Sequence, residues 1–474
     1  MNLLKALISF ATSLFLTISG QRVYIEGVVG QPQNIAPQQT GNNHVDNDIS
    51  SLVFEGLTRI KSDGSITTGI AKSWEISDDK KTYIFHLDPE ARFHDNHPVL
   101  AEDVVYTAKN FEQLKNLEIE EKDKHTIVVK LDTPFAPLLR ILSIGIVPKH
   151  LEGKNDPLIP VSAGTYRIQN VKRGTQKIES ITLKKHKKER SGPEKIIIKF
   201  FQTEEGLHTA AELGELDGFS SEQDSPKCYK TVKATLEGRH YVLLFNLQGK
   251  EFLKNADFRR TLATLVDREK IIKEAENTNG RPAYAPLQNS WVKEEIEEPK
   301  FRPNTEKQYD HSITITYSQT EKNKKIVQVI KSDWEKTGLT VNLIPATNKN
   351  LKEDILPRKD FDVVLIGQEV SRDPDQYNLW HSTQLETGNN LTGFSNMRAD
   401  KALEMGRTTH DPEKRKEHYQ NFQQIFIEKM PAIFAYYPGY TYHIKATEGN
   451  LDLEGIFRPA ERWDRILKMY NSQN

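Results

Sequence analysis

Residues 51–111 constrain the fold more tightly than any other stretch of this chain: SLVFEGLTRIKSDGSITTGIAKSWEISDDKKTYIFHLDPEARFHDNHPVLAEDVVYTAKNF. Asp63-Gly64 reads as a turn between two short extended runs. Trp74, Ile76, Tyr83, Phe85 and Leu87 recur at every second position on either side of the polar turn Ser77-Asp78-Asp79-Lys80. That period predicts a hairpin with one buried face. Asp95-Asn96 reads as a second turn, asparagine being the residue after glycine that best tolerates a left-handed backbone. Val104, Ala108 and Phe111 then fall on one face of a helix. Leu100 precedes that helix and offers no capping side chain, a loss of about 1 kcal/mol that packing can absorb.

Elsewhere the same periodicities continue. RVYIEGVV at 22–29 reads as a first strand, and Ile49, Leu52 and Val53 as the apolar face of a helix after a polar segment. HTIVVKL at 125–131 alternates like a strand, and YVLLFNLQ at 241–248 reads as a buried one. In NADFRRTLATLVDREKII, Phe258, Leu262 and Leu265 share a helical face and Asp267 is placed to cap the next helix. From residue 312 the order is strand, helix, strand, strand: SITITYS, a stripe of Ile326, Ile330 and Trp334, then GLTVNLIPA and FDVVLIGQ. This predicts a βαβ unit with a parallel sheet. Asp411-Pro412 starts a helix with Tyr419, Phe422 and Phe426 inward, Met430-Pro431 stops it, and AIFAYY is extended.

The chain has 474 residues, too many for one core, so two or three lobes are expected. Its 65 basic and 66 acidic side chains balance to −1, which gives no global field for nucleic acid. The basic run KKHKKER at 184–190 has no interleaved aromatics and reads as a solvated hairpin tip between ESITLKK and EKIIIKFF. Cys228 is the only cysteine, which excludes an intramolecular disulfide and a thiol metal cluster. His94, Asp95 and His97 have zinc-like HxxH spacing, but no third donor stands near them in sequence, so no metal site is expected. Neither a G-x-S-x-G elbow nor a phosphate-binding glycine loop occurs, so hydrolase and nucleotide-binding readings lack a positive signal, and no catalytic residue and no cofactor are named. Residues 3–18, LLKALISFATSLFLTI, read as a signal peptide, with an uncleaved N-terminal anchor as the alternative.

In order and spacing, FEGLTRIKSDGSI, AKSWEISDDKKTYIFHL and FHDNHPVLAEDVVYTAKNF resemble the bacterial extracellular solute-binding protein family 5. IGIVPKHL, LHTAAELGELDGF and NADFRRTLATLVDREKII extend the resemblance. Asn96 stands where the family usually has Gly, and Leu100 where it has Thr or Ser. That family supplies peptides, nickel and some other solutes to ABC transporters. The resemblance implies an α/β, two-lobed periplasmic-binding-protein-like fold of type II, with an extra subdomain and a hinge between the lobes. The expected division is 1–20 as signal peptide or anchor, 21–50 with 162–240 and 441–474 as lobe I, 51–161 as the extra subdomain, and 241–440 as lobe II.

The resemblance further implies a monomeric, extracytoplasmic binding protein, periplasmic or at the cell surface. Its expected partners are an oligopeptide held in an interlobe cleft and the permease subunits of an ABC transporter. The alternatives are a peptidase or metal-dependent hydrolase on the same fold, or a membrane-tethered ligand sensor. The family places ligand-facing backbone near Asn43 and His44. Segment 366–382, IGQEVSRDPDQYNLWHS, leaves a parallel strand at its carboxyl end, where α/β proteins bind ligands. Gln368, Glu369, Asp373, Asp375, Tyr377, Trp380 and His381 are its candidate ligand-binding residues, with Asp373 and Asp375 read first as capping residues. In the family's peptide-binding members an aspartate three residues before the acidic-Pro pair holds the peptide's ammonium group. Here that position is Val370, with Glu369 adjacent, and Gly367 stands where those members often have Trp.

Export is the first expectation open to test. Cell fractionation and N-terminal sequencing should find the protein outside the cytoplasm, either cleaved near Gly20 or tethered by residues 3–18. Full-length protein recovered from the soluble cytosol would contradict it.

Overall fold

The computed structural model describes residues 22–37, 43–112, 114–115, 117–175, 177–187, 190–276, 280–288, 291, 309–386 and 388–470. The apolar run at 3–18 and positions 188–189 of the basic run lie outside these residues. The chain divides into two compact units. Unit 1 comprises Met1–Pro134, Leu138–Lys233 and Tyr440–Asn474, and unit 2 comprises Phe135–Pro137 and Ala234–Gly439.

Unit 1 begins with β1 (Val23–Val29) and α1 (His44–Val53), followed by the ribbon of β2 (Thr58–Ile60) and β3 (Ile66–Thr68). The predicted hairpin is β4 (Ala71–Ile76) with β5 (Thr82–Leu87), and Trp74 pairs with Phe85 and Ile76 with Tyr83. Tyr83, Phe85 and Leu87 are buried as their alternation requires, whereas Trp74 and Ile76 are half-buried. Gly64 (φ 82°), Lys80 (φ 62°) and Asn96 (φ 70°) supply the left-handed residues of the three predicted turns. In α2 (Ala101–Asn110) the Leu100 side chain caps nothing, but Asp103 Oδ2 reaches back to accept the Leu100 N–H at 2.8 Å.

Next come β6 (Glu118–Asp123), β7 (Thr126–Lys130), β8 (Tyr166–Arg173), β9 (Ile178–Lys185) and β10 (Lys195–Phe201). Then follow α3 (Glu204–Glu212), β11 (Gly218–Ser220) and β12 (Tyr229–Thr235).

Unit 2 runs β13 (Arg239–Phe245), α4 (Ala256–Leu265), α5 (Arg268–Ala275), β14 (Arg281–Pro282), β15 (Ser312–Ser318) and α6 (Glu321–Glu335). It continues with β16 (Thr340–Ala346), β17 (Val363–Glu369), α7 (Met397–Thr408), α8 (Pro412–Lys429) and β18 (Ala432–Tyr437). The chain then returns through β19 (Gly439–Lys445) to unit 1 and ends its described part in α9 (Arg462–Met469).

Among the described residues the strands form four sheets. In unit 1 the order is β12-β19-β11-β1-β10-β9-β8 in the large sheet and β4-β5-β7-β6 in the small one, beside the β2-β3 ribbon. The sheet of unit 2 has the order β14-β18-β13-β17-β15-β16. The predicted parallel unit is its β16-β15-β17 portion, and β13 joins antiparallel to both β17 and β18. The sheet is therefore mixed.

Strand alternation gives this sheet a core on each face. Leu243 and Phe245 of β13 and Leu365 of β17 pack toward α4 and α6, while Val242, Leu244 and Val364 pack with Phe422 and Phe426 of α8. Ile326, Ile330 and Trp334 are fully buried on α6, as their spacing predicts. The Trp334 ring is stacked near Phe245 at 6.3 Å, and its Nε1–H donates to Leu262 O at 3.1 Å. Asp411 caps α8 by accepting the Lys414 N–H, and Met430 ends it in the left-handed region at φ 46°.

Trp334→Ala removes the largest side chain of this face. It should destabilise the protein by about 3–5 kcal/mol in urea unfolding, as other large core truncations do. A loss below about 1 kcal/mol is the size of a surface substitution and would contradict this packing.

Candidate functional site

Parallel strands β15 and β17 carry their carboxyl ends to one edge of the unit 2 sheet, and β13 begins there. The register places Arg239 opposite Glu369, His240 opposite Gln368 and Tyr241 opposite Gly367. Alternation sorts these pairs to opposite faces. On one face the buried His240 ring packs by its edge against Phe434 and Tyr437, and its Nε2 lies 2.9 Å from Gln368 Oε1. Burial pushes the His240 imidazole down to about 4, and the bond to Gln368 opposes this only in part.

On the other face Gly367 makes room for a guanidinium. A Cβ at this glycine would lie 3.2 Å from Arg239 Nη2 and 3.7 Å from Tyr241 Cε1. The guanidinium carbon of Arg239 lies 5.9 Å from the centre of the Tyr241 ring. Tyr241 stacks on Tyr436 at 4.8 Å, and the Tyr436 hydroxyl donates to Glu276 at 2.9 Å. Glu276 has a fully buried side chain and is paired at 3.0 Å with Lys322. Burial raises the Tyr436 pKa, and the neighbouring Tyr241 and Glu276 add to that rise, so the hydroxyl stays a donor. Glu369 ends the strand exposed, and among the described residues its side chain makes no hydrogen bond or ion pair.

The loop beyond β17 is built on successive side-chain-to-backbone bonds. Asp373 accepts the Asp375 N–H at 3.0 Å, and Asp375 accepts the Tyr377 N–H at 3.1 Å, the capping geometry expected of them. Two arginines hold the loop down. Arg415 of α8 grips buried Asp373 with two bonds of 2.7 and 3.0 Å, and Arg407 of α7 pairs with Asp375 at 2.8 Å while lying 4.0 Å over the Tyr377 ring. Tyr377 stacks on His381 at 4.0 Å, and the His381 Nδ1 is 2.9 Å from Thr383 Oγ1. Trp380 is buried and forms an edge-to-face pair with Phe426, centroids 4.6 Å apart.

The nine candidates thus fall into three groups. Asn43 and His44 are in unit 1, where Asn43 caps α1 by accepting the Val45 N–H at 3.0 Å and donates to Gln31 O, and His44 is exposed. Asp373, Trp380 and His381 are buried by contacts within unit 2, and Asp375 is tied to Arg407. Gln368, Glu369 and Tyr377 keep exposed or half-exposed surface on or just after the end of β17. Sequence reading missed Arg239, Tyr241 and Tyr436, which only the antiparallel insertion of β13 brings to this edge. A signal for Arg239 exists in the charge opposite Glu369, but it is visible only once the register is known.

The HxxH residues separate. His94 turns inward, with Nε2 3.2 Å from Gly164 O and its edge toward His186, and burial pushes it down to about 3. His97 and Asp95 remain together and are joined by His150.

Comparison with known proteins agrees with this architecture. The profile described as bacterial extracellular solute-binding proteins, family 5 Middle, matches residues 65–390. The oligopeptide-binding protein AppA of Bacillus subtilis is 23% identical, over 90% of this chain and 90% of its own. The probable D,D-dipeptide-binding periplasmic protein DdpA of Escherichia coli is 23% identical, over 87% of this chain and 88% of its own. The crystal structure of NikA from Brucella suis, in complex with Fe(III)-EDTA, shares the fold with a TM-score of 0.78 at 16% identity, covering 93% of this chain and 99% of that one.

The buried His240 makes stability pH-dependent. Its folded value of about 4 lies below its ordinary 6.5, so only the unfolded chain takes up the proton as pH falls through this window. The stabilisation is present above about pH 6.5 and is lost on the way down to pH 4, by about 2 kcal/mol at pH 5. In His240→Gln, the difference in unfolding free energy between pH 7 and pH 5 should shrink by about that amount. An unchanged difference would show that His240 takes up its proton in the folded state.

Proposed function

The chain belongs to the bacterial extracellular solute-binding proteins of family 5, and on that premise we propose that it binds oligopeptides outside the cytoplasm and delivers them to the permease of an ABC transporter. The curated relatives AppA and DdpA are described as oligopeptide- and D,D-dipeptide-binding, which supports a peptide as the solute. No bond is made or broken in this reading. Delivery rests on a difference between the empty and the liganded protein, because a permease can sort the two only by such a difference.

The observation that carries the peptide assignment is the pair Arg239 and Glu369 at the edge of unit 2. They are opposite charges in register on neighbouring strands, and both are exposed. Arg239 leans back over Gly367 and Tyr241, and Glu369 is left without an ion pair among the described residues. A peptide is a zwitterion, and its ammonium group requires an acceptor when it leaves water. Glu369 takes this role in place of Val370, where peptide-binding members keep their carboxylate. Tyr241, buried and stacked on the fully buried Tyr436, backs the Arg239 guanidinium on this face.

Titration calorimetry with a peptide mixture, free and N-acetylated, tests the proposal. Free peptides should bind more tightly than acetylated ones, and Glu369→Gln should weaken the free peptides about tenfold, near 1.4 kcal/mol. Equal affinity for free and acetylated peptides would show that no terminal ammonium is recognised. Heat from a metal chelate and none from peptides would move the assignment to that class of solute.

A further inference from the structure

The turn after β5 carries a feature that solute binding does not use. Asp95, His97 and His150 meet at the surface of unit 1, and one donor atom from each lies within 4.8 Å of the others. Asp95 Oδ2 is shared: it stands 2.7 Å from His150 Nε2 and 3.2 Å from His97 Nδ1. The two imidazoles face each other at 4.1 Å.

Two of the three donors are held in place by the fold. The Phe93 N–H donates to His97 O and the Asn96 N–H to Phe93 O, both at 2.9 Å, closing a tight turn around the left-handed Asn96. Asp95 Oδ1 accepts the His97 N–H at 3.2 Å, which turns Oδ2 toward the imidazoles. His150 sits in the single helical turn Lys149–Leu151, whose first N–H is bound by Asp103 Oδ1 at 2.8 Å. The Phe93 ring packs against it edge-to-face, with the centroids 5.8 Å apart. His97 is the adjustable member, with 59% of its side chain exposed.

We propose that Asp95, His97 and His150 bind a divalent first-row cation of the Zn2+ class, with water completing the coordination. The donor set of two imidazole nitrogens and one carboxylate oxygen is one such a cation takes at bond lengths of about 2.0–2.2 Å. Ligands around a cation at these lengths stand about 3 Å apart. The two contacts of Asp95 Oδ2, at 2.7 and 3.2 Å, match that spacing. The remaining nitrogen pair closes by rotation of the exposed His97 ring. Binding takes the facing imidazole nitrogens as lone-pair donors beside the carboxylate oxygen. The bound cation fastens the 93–98 turn to the 149–151 turn, which lie far apart in the chain but within one unit. His94 takes no part, because its ring is turned inward to Gly164.

Untagged protein in a Cys228→Ser background removes the exposed thiol as a competing ligand. This protein is titrated with Zn2+ by calorimetry and with Co2+ by visible absorption, with no peptide present. One cation should bind in the micromolar range and raise the melting temperature. His97→Ala, at an exposed position, should bind at least about tenfold more weakly and lose the melting shift. Asp95→Asn, which keeps the oxygen that closes the turn, should do the same. Unchanged affinity in both variants, or a dissociation constant above millimolar in the parent, would overturn the site.

Discussion

Glu26 lies in the middle of β1, the central strand of the large sheet, with no solvent exposure. A carboxylate there costs several kcal/mol unless charge and hydrogen bonds meet it. Arg462 of α9 meets it through Nε at 3.1 Å and Nη2 at 2.9 Å, and the same guanidinium reaches Asp48 of α1 at 2.7 Å. The Tyr442 hydroxyl of β19 donates to the other Glu26 oxygen and lies 2.7 Å from the Tyr24 hydroxyl. Burial pushes the Glu26 carboxyl up, and Arg462 and Tyr442 pull it part of the way back. Burial also works against the charge of Arg462, but Asp48, Tyr440 and Glu26 outweigh it and hold the guanidinium well above its ordinary value. Apolar residues of the same volume would satisfy burial as well. What the charged set adds is register, because a slip of β1 by one residue would turn Glu26 to the opposite face of the sheet.

The elements that were legible in sequence are those whose signal is local. The period-two run of Tyr83, Phe85 and Leu87 becomes the buried face of β5, the Ile326-Ile330-Trp334 stripe becomes the buried face of α6, and Asp267 and Asp411 cap the helices that follow them. What escaped is set by pairing between distant residues. The apolar run of β13 carries no mark of its direction, so its antiparallel insertion beside β17 could not be read, and with it went Arg239, Tyr241 and Tyr436. Asp373 finds its partner Arg415 forty-two positions on, and Asp95 finds His150 fifty-five positions on. Trp380 sits in a helix of a single turn, too short to show a phase, and its burial against Phe426 decides what its aromatic character could not.

The candidate edge of unit 2 gains its definition from these same distant contacts. Arg407 and Arg415 immobilise the loop after β17, so the chain leaves Glu369 in one direction. Gly367 contributes by lacking a side chain. The space it leaves is taken by the guanidinium of Arg239, which lies over Tyr241.

The position of β19 between β12 and β11 also sets an order of events during synthesis. Unit 2 is essentially one continuous stretch, Ala234–Gly439, and its strands and helices are all available once that stretch has emerged. Unit 1 is different, since Glu26 meets Arg462 across a separation of 436 residues. Until β19 and α9 appear, β1 has an unmatched anion at its centre and β11 an unfilled edge. Contacts that close so long a loop form slowly, and open strand edges are where partly folded chains associate. The half made first therefore finishes last, because its central strand waits for residues that come at the end of the chain.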